Sequence, residues 1–297
     1  MENMKIKKPK VYYLKNISPS KIARLLEVLG RELKGEVAVK IDLKYDELLL
    51  TPELVYSFVD VLGGTVVENC VERNGAFLNL EGMKRELDML GFSAVAPVDI
   101  LDGAGEIKLS VAEFKNLKGE NFVGSNILKY NSMLVLSEFN GEIEGAYYGG
   151  ALNNLSLGMA SKTGKLWIKS AGFTKDLDVA INHSSKIENV TMSKAEAGKS
   201  IVDYFTRANL IYVNVTDDIA VDGDCGNICE KRNVTRFGIY ASTDPVALDQ
   251  ACFDAVRRTS KAKLSATIEQ KEKEFEMLLN CGEEIGLGER DYELIEI

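Results

Sequence analysis

Val37-Ala38-Val39-Lys40-Ile41, then Thr51-Pro52-Glu53, then Thr65-Val66-Val67 are the stretches that decide the fold of this chain. The first is a short, mostly β-branched apolar run, the signature of a strand buried on both faces. Thr51 caps a helix and Pro52 fits its first position, with Leu54, Phe58, Val59 and Leu62 on the apolar side. Thr65-Val66-Val67 is the next strand. Towards the N-terminus, Val11 to Leu14 reads as a strand and Ser18-Pro19 opens a helix over residues 19–34, with Ile22, Leu25, Leu26, Leu29 and Leu33 at helical spacing. Towards the C-terminus, residues 80–91 read as a helix ending at Gly91 and Ser93 to Ile100 as a strand. This alternation implies a largely parallel sheet with helices on both faces.

Beyond residue 100 the pattern loosens into a second, mixed α/β portion. Strands are expected at Glu106 to Ser110, Ser132 to Phe139, Leu210 to Val215, Arg236 to Ala241 and Tyr292 to Ile297. Helices are expected from Ala151 towards Met159, over 193–208, from Asp244-Pro245 to about Arg258, and over 262–280. The expected class is therefore α/β. The chain divides into a β-α-β-α-β half (1–125) and a half with a glycine-rich loop and an acidic cysteine loop (126–297), or forms one compact unit.

Composition narrows the function. The 297 residues carry 36 Lys plus Arg, 45 Asp plus Glu and one His, a formal net charge of −9. That acidity argues against a general nucleic-acid binder, which needs a concentrated basic face. His183, the one histidine, leaves no room for chemistry that needs two. Five scattered cysteines do not form a secreted disulfide framework. No run approaches the roughly 18 apolar residues of a membrane span, and the basic start lacks a signal peptide's apolar stretch. A cytoplasmic, reduced protein is expected, without nucleic-acid or membrane partners. Gly158 to Leu166 imitates a phosphate loop, but has one residue too many between its glycines and leucine where the magnesium-binding hydroxyl belongs.

Three places could carry chemistry. After Ser137-Glu138-Phe139-Asn140-Gly141-Glu142 comes Gly149-Gly150-Ala151-Leu152-Asn153-Asn154. A strand that ends in glycines and re-enters a helix can offer several N–H groups to an anion, and strand C-termini are where open α/β sheets bind ligands. The same glycines also serve a tight turn. In Asp222-Gly223-Asp224-Cys225-Gly226-Asn227-Ile228-Cys229, two thiols beside carboxylates suit a metal, or an acidic surface loop. Asp244-Pro245 is a helix start that capping alone explains. Lys40 on its strand and Lys165 after Gly164 are the best lone cations, since a buried lysine needs an anion. The expected ligand-binding set is Lys40, Ser137, Gly149, Gly150, Asn154 and Lys165; the expected metal set is Glu138, Glu142, Asp222, Asp224, Cys225 and Cys229.

Val37 to Ile41, Gly149 to Asn154 with Gly158 to Lys165, and above all Ala241-Ser242-Thr243-Asp244-Pro245-Val246-Ala247-Leu248-Asp249-Gln250-Ala251-Cys252 resemble the domain-of-unknown-function 362 family, often described as iron–sulfur centre proteins. The resemblance runs from about residue 11 to 256 and implies the α/β fold. It departs at functional positions. Glu138-Phe139-Asn140-Gly141-Glu142 stands where the family commonly has a His-Phe-Lys-Gly-His kind of run. Asn153 replaces a lysine, Gly223 replaces the first cysteine of a Cys-Asp-Cys loop, and the ferredoxin-like cysteine block is missing. The resemblance therefore does not carry the cluster over. Three functions stay open. One is binding of a small anionic ligand or a divalent metal in a cleft, and another is a redox role with an iron–sulfur cluster and a partner protein. The third is a non-catalytic binding or assembly subunit, including a homo-oligomer.

Overall fold

The computed structural model describes residues 8–15, 18–43, 50–73, 76–112, 114–139, 149–217, 237–259 and 266–297. In chain order its elements begin with β1 (Lys10–Leu14), α1 (Pro19–Val28), β2 (Val37–Lys40), α2 (Pro52–Leu62) and β3 (Thr65–Glu68). The short pair β4 (Glu72–Arg73) and β5 (Ala76–Phe77) follows, then α3 (Leu80–Met89), α4 (Phe92–Val95), β6 (Val98–Ile100), β7 (Glu106–Ser110), β8 (Glu120–Gly124) and β9 (Ser132–Phe139). The remainder is α5 (Ala151–Asn153), α6 (Lys162–Lys169), α7 (Leu177–Ile181), α8 (Ile187–Phe205), β10 (Leu210–Asp217), β11 (Phe237–Ser242), α9 (Pro245–Thr259), α10 (Ala266–Glu284) and β12 (Glu293–Glu296).

Eight strands form one sheet in the order β12-β1-β11-β10-β9-β2-β3-β6. The block β10-β9-β2-β3-β6 is parallel throughout, and β11 runs antiparallel to both β10 and β1. The largely parallel α/β class is thus observed. The sheet draws four strands from each side of residue 125. Alternation along β9 explains the layers: Leu134 and Leu136 face a core with Ile22 and Leu25 of α1, Phe58 of α2 and Met83 of α3. Met133 and Val135 face another with Leu152, Ile201 of α8, Phe253 of α9 and Phe275 of α10. The antiparallel pair β7–β8 packs with α6 and α8 around Phe122, Trp167 and Ala197.

Some boundaries differ from the sequence pattern, each for a local reason. Helix α1 stops at Val28 rather than at 34, because Gly30 takes a left-handed φ of 63°. Leu29 and Leu33 still pack against the core, which is why the periodicity ran on. Residues 92–95 are a helical turn and not strand, since Gly91 (φ 89°) restarts the chain and tucks Phe92 into the core; the strand begins only after Pro97. Helix α8 starts at Ile187, six residues before the expected start. Strand β8 and helices α6 and α7 were not expected at all. Among the described residues no helix is long and apolar enough to cross a membrane.

Candidate functional site

The order of the parallel block fixes where a site can form. From β2 the chain builds outward through β3 to β6, then crosses to the other side of β2 to lay down β9 and β10. The sheet therefore reverses its build direction between β2 and β9, and crevices at the C-terminal ends of such strands are where open α/β sheets take ligands. Lys40 ends β2 there and is fully buried. Its Nζ donates to Glu68 Oε1 at 2.5 Å and to the Ile41 carbonyl at 2.5 Å. Glu68, which ends β3, also accepts from the backbone N–H groups of Asn69 (2.8 Å) and Leu43 (3.1 Å). Burial pushes the Glu68 carboxyl up, while Lys40 pulls it back.

Asn154 closes this corner from the helical side. It opens the π-helical turn Asn154–Gly158 after α5, and its Nδ2 donates to the Leu136 carbonyl (3.2 Å) and Ser137 Oγ (3.1 Å) of β9, and more weakly to the Lys40 carbonyl (3.4 Å). Asn69 Nδ2 likewise donates to the Gly158 carbonyl at 2.6 Å. These carbonyl acceptors fix which end of each amide is which. Asn69 Oδ1 and Asn154 Oδ1 are then left buried with no hydrogen-bond donor among the described residues, an arrangement that costs roughly 1–3 kcal/mol per group unless something is bound. Gly158 makes this approach possible: a methyl there would lie 2.4 Å from Asn154 Oδ1 and 3.5 Å from Lys40 Nζ.

Lys165 enters from α6, whose start is capped by Ser161 Oγ accepting from Gly164 N at 3.1 Å. The phosphate-loop look-alike is thus an ordinary capped helix. Half-buried Lys165 donates to the Cys70 carbonyl at 2.8 Å. Burial lowers its pKa, while Glu68 and Asp102 raise it and Lys40 lowers it further. An ammonium has three donors, so one such bond leaves capacity for a ligand. The Cys70 thiol is pushed up to about 12 by burial and by Asp102, and so stays protonated at neutral pH.

One strand further, Asn214 of β10 pairs in register with Ser137. Its Nδ2 donates to Asp249 Oδ1 at 2.7 Å, and Asp249 also accepts from Ala151 N (2.8 Å) and Leu152 N (2.9 Å). Burial drives the Asp249 carboxyl up to about 7 against these three bonds. Gly150 sits against it, where a Cβ would come within 2.5 Å of Asp249 Oδ1.

The family model "Domain of unknown function (DUF362)" matches residues 37–254, which span every element of this site. The chain belongs to the DUF362 family. None of the curated proteins matches it. Among solved structures it is similar to the lactate racemase apoprotein from Thermoanaerobacterium thermosaccharolyticum, at 14% identity and a TM-score of 0.37, covering 70% of this chain and 51% of that one. It thus spans about half the length of that structure.

In this DUF362 member four of the expected ligand-binding residues meet: Lys40, Ser137 and Asn154 directly, and Lys165 beside them. Gly149 and Gly150 are buried one strand away, and the N–H groups after them are already taken by an internal carboxyl, that of Asp249. Of the expected metal set, Glu138 is buried and accepts from Leu50 N at 2.9 Å. Glu142, Asp222, Asp224, Cys225 and Cys229 lie outside the described residues. Among the described residues no group of three or more His, Cys, Asp or Glu is placed to hold a metal. Sequence reasoning missed Glu68, Asn69, Asn214, Asp249 and Gly158. Glu68 carried the same signal as Lys40, a charge closing an apolar strand.

Proposed function

We propose that this DUF362 protein binds a small anion bearing a hydrogen-bond donor at the C-terminal ends of β2, β3 and β9. The observation that carries the reading is the set of unused groups between Lys40 and Lys165. One half-buried ammonium keeps donor capacity, and two buried amide oxygens, Asn69 Oδ1 and Asn154 Oδ1, lack donors among the described residues. An anionic group would take the lysine, and an O–H or N–H on the same molecule would satisfy an amide oxygen. The Lys40–Glu68 pair is internally balanced, so it orients this corner and adds little net charge of its own. The described residues of the site are suited to positioning a ligand.

Calorimetric titration of the full chain with inorganic phosphate and with glycolate tests this, since each carries negative charge and an O–H donor at neutral pH. Saturable binding of either, weakened about tenfold or more by Lys165→Met, is expected, the loss of one charge-assisted hydrogen bond. Binding that is unchanged in Lys165→Met, or no saturable binding of either anion, would sink the proposal.

A further inference from the structure

The rim of the corner holds a second cation beside Lys165. Hairpin β4–β5 follows directly on Cys70, whose carbonyl Lys165 grips, and it brings the half-buried Phe77 against the start of α6. Lys162 Nζ lies 5.5 Å and Lys165 Nζ 5.9 Å from the centre of that ring, both within cation–π range. Three residues apart on α6, the two side chains leave the helix from the same face, with Lys165 half-buried and Lys162 exposed. The helix opens Lys162-Thr163-Gly164-Lys165 with no acidic residue in its first turn, although the dipole there favours negative charge. Among the described residues neither ammonium is in an ion pair. Lys165 feels Glu68 and Asp102, but Glu68 is matched by Lys40, and Asp102 accepts from Cys70 N at 2.8 Å. A single small anion at Lys165 fills the depth of the corner and leaves its rim positive.

We propose that the ligand of this corner is a small hydroxy acid bearing a second anionic group, carboxylate or phosphate, with the first anion held at Lys165 and the second at the rim by Lys162 beside Phe77. This rests on the anion-binding reading of the same site and adds the ligand's charge and length. Both ammonium groups lie within 5.9 Å of one ring centre, so a short chain spans them. The hydroxyl of such a ligand is the donor that Asn69 Oδ1 or Asn154 Oδ1 lacks among the described residues. Phe77 sets where both ammonium groups stand, and an anion at the rim also lies at the favoured end of the α6 dipole. A lysine that only keeps the surface polar responds to a ligand's second charge no more than any other exposed lysine does. One that contacts the ligand responds more, and the two are separable by experiment.

The test is calorimetry on the full chain at low ionic strength with glycerate, malate and 3-phosphoglycerate. The three share a carboxylate beside a hydroxyl and differ in whether the chain ends in a hydroxyl, a carboxylate or a phosphate. At least one of the dianions should bind about fivefold more tightly than glycerate, the worth of one partly exposed charge contact. Lys162→Met should remove that advantage and leave glycerate within about twofold, whereas Lys165→Met should weaken all three ligands. Lys21→Met deletes an exposed charge on α1 and should change none of them by more than about twofold, which separates a contact from the general field of the protein. Glycerate bound through Lys165 with neither dianion tighter would overturn this proposal and leave the anion-binding reading standing. A dianion advantage that survives Lys162→Met, or that Lys21→Met removes as well, would do the same. No saturable binding of any of the three would overturn both. An advantage for malate alone would assign a carboxylate at the rim and for 3-phosphoglycerate alone a phosphate, each within the proposal.

Discussion

Glu68, at the end of β3, and Asp249, on α9 against β10, are both buried carboxylates of the same sheet's surroundings, and they are stabilised in different ways. Glu68 has a lysine at 2.5 Å and two backbone N–H groups, and around it two amide oxygens and a half-buried ammonium keep unused capacity. Among the described residues Asp249 has no cation at hydrogen-bond distance; it is held by two N–H groups at the start of α5 and by Asn214. The first region balances its charges and leaves hydrogen-bonding capacity over, which is what a binding site requires. The second spends the chain's own donors on the chain's own acid, which is what a structural clamp does, although Asn214 Oδ1 is buried there without a donor among the described residues. The two adjoin, since Asn214 and Ser137 are register partners on neighbouring strands. Glycine serves both, at 158 making room for Asn154 and at 150 for Asp249.

Separating the partners of the charged region should have the largest effect. Lys40→Met leaves Glu68 buried without its cation, and we expect about 3–5 kcal/mol of lost stability in urea unfolding at neutral pH. Replacing both residues, Lys40→Met with Glu68→Met, should recover most of that, because a buried pair and an apolar pair of similar volume are often close in stability. The double variant should nevertheless bind phosphate and glycolate more weakly than the parent, having lost the charges that orient the corner. A loss below about 1 kcal/mol for Lys40→Met would mean that water reaches the pair and that it behaves as a surface bridge.

A smaller effect distinguishes the two glycines. Alanine at 150 or at 158 forces a methyl to within 2.5 Å or 2.4 Å of a polar side chain, and each should cost about 1–3 kcal/mol by overpacking. What should differ is binding. Gly158→Ala displaces Asn154 Oδ1, one of the two unused acceptors, so its loss of anion affinity should exceed that of Gly150→Ala at equal loss of stability. Parallel measurement of unfolding and of phosphate titration gives the ratio. Equal ratios would mean that both regions are structural.

How much of this could be read in advance follows from the same contrast. Strands β2, β3, β9 and β10 were legible because a strand buried on both faces must be apolar throughout, and Lys40 stood out as the charge that breaks such a run. The reversal between β2 and β9 was not, because nothing in their composition says on which side of β2 the chain returns. The turn at Gly149-Gly150 was marked as a place where N–H groups could meet a ligand's anion, and the N–H groups after it instead meet a carboxyl of the chain itself. That the acceptor is Asp249, 98 residues away in the chain, depends on how α9 docks against α5. Asp249 follows the apolar Val246-Ala247-Leu248 of α9 and, past Gln250, precedes Ala251-Cys252-Phe253, and a charge on a helix's buried face is the signal that could have found it. Residues 92–95 misled for the opposite reason, since Val95 favours a strand locally and burial of Phe92 after a left-handed glycine won.

The finest test concerns pH and the uncharged clamp. Asp249→Asn keeps the shape but sets an NH₂ against one of the two backbone donors, and should cost about 1–3 kcal/mol. The cost should depend on pH with a definite sign. An unfolded aspartate loses its proton near pH 3.9, whereas Asp249 in the folded chain loses it near about 7. Between those values the folded chain holds one more proton than the unfolded chain, so this group's contribution to stability falls as pH rises from about 4 to about 7 and is flat beyond. Asparagine holds no such proton. The penalty of Asp249→Asn, measured by urea unfolding of both proteins, should therefore be greatest near pH 4–5 and shrink towards pH 8. Subtracting the two curves removes the contributions of Glu68 and Asp244, whose pKa values burial also raises. A penalty that stays constant across this range would place the Asp249 proton at its ordinary value, with the three hydrogen bonds outweighing burial, and would make the clamp an ionised one.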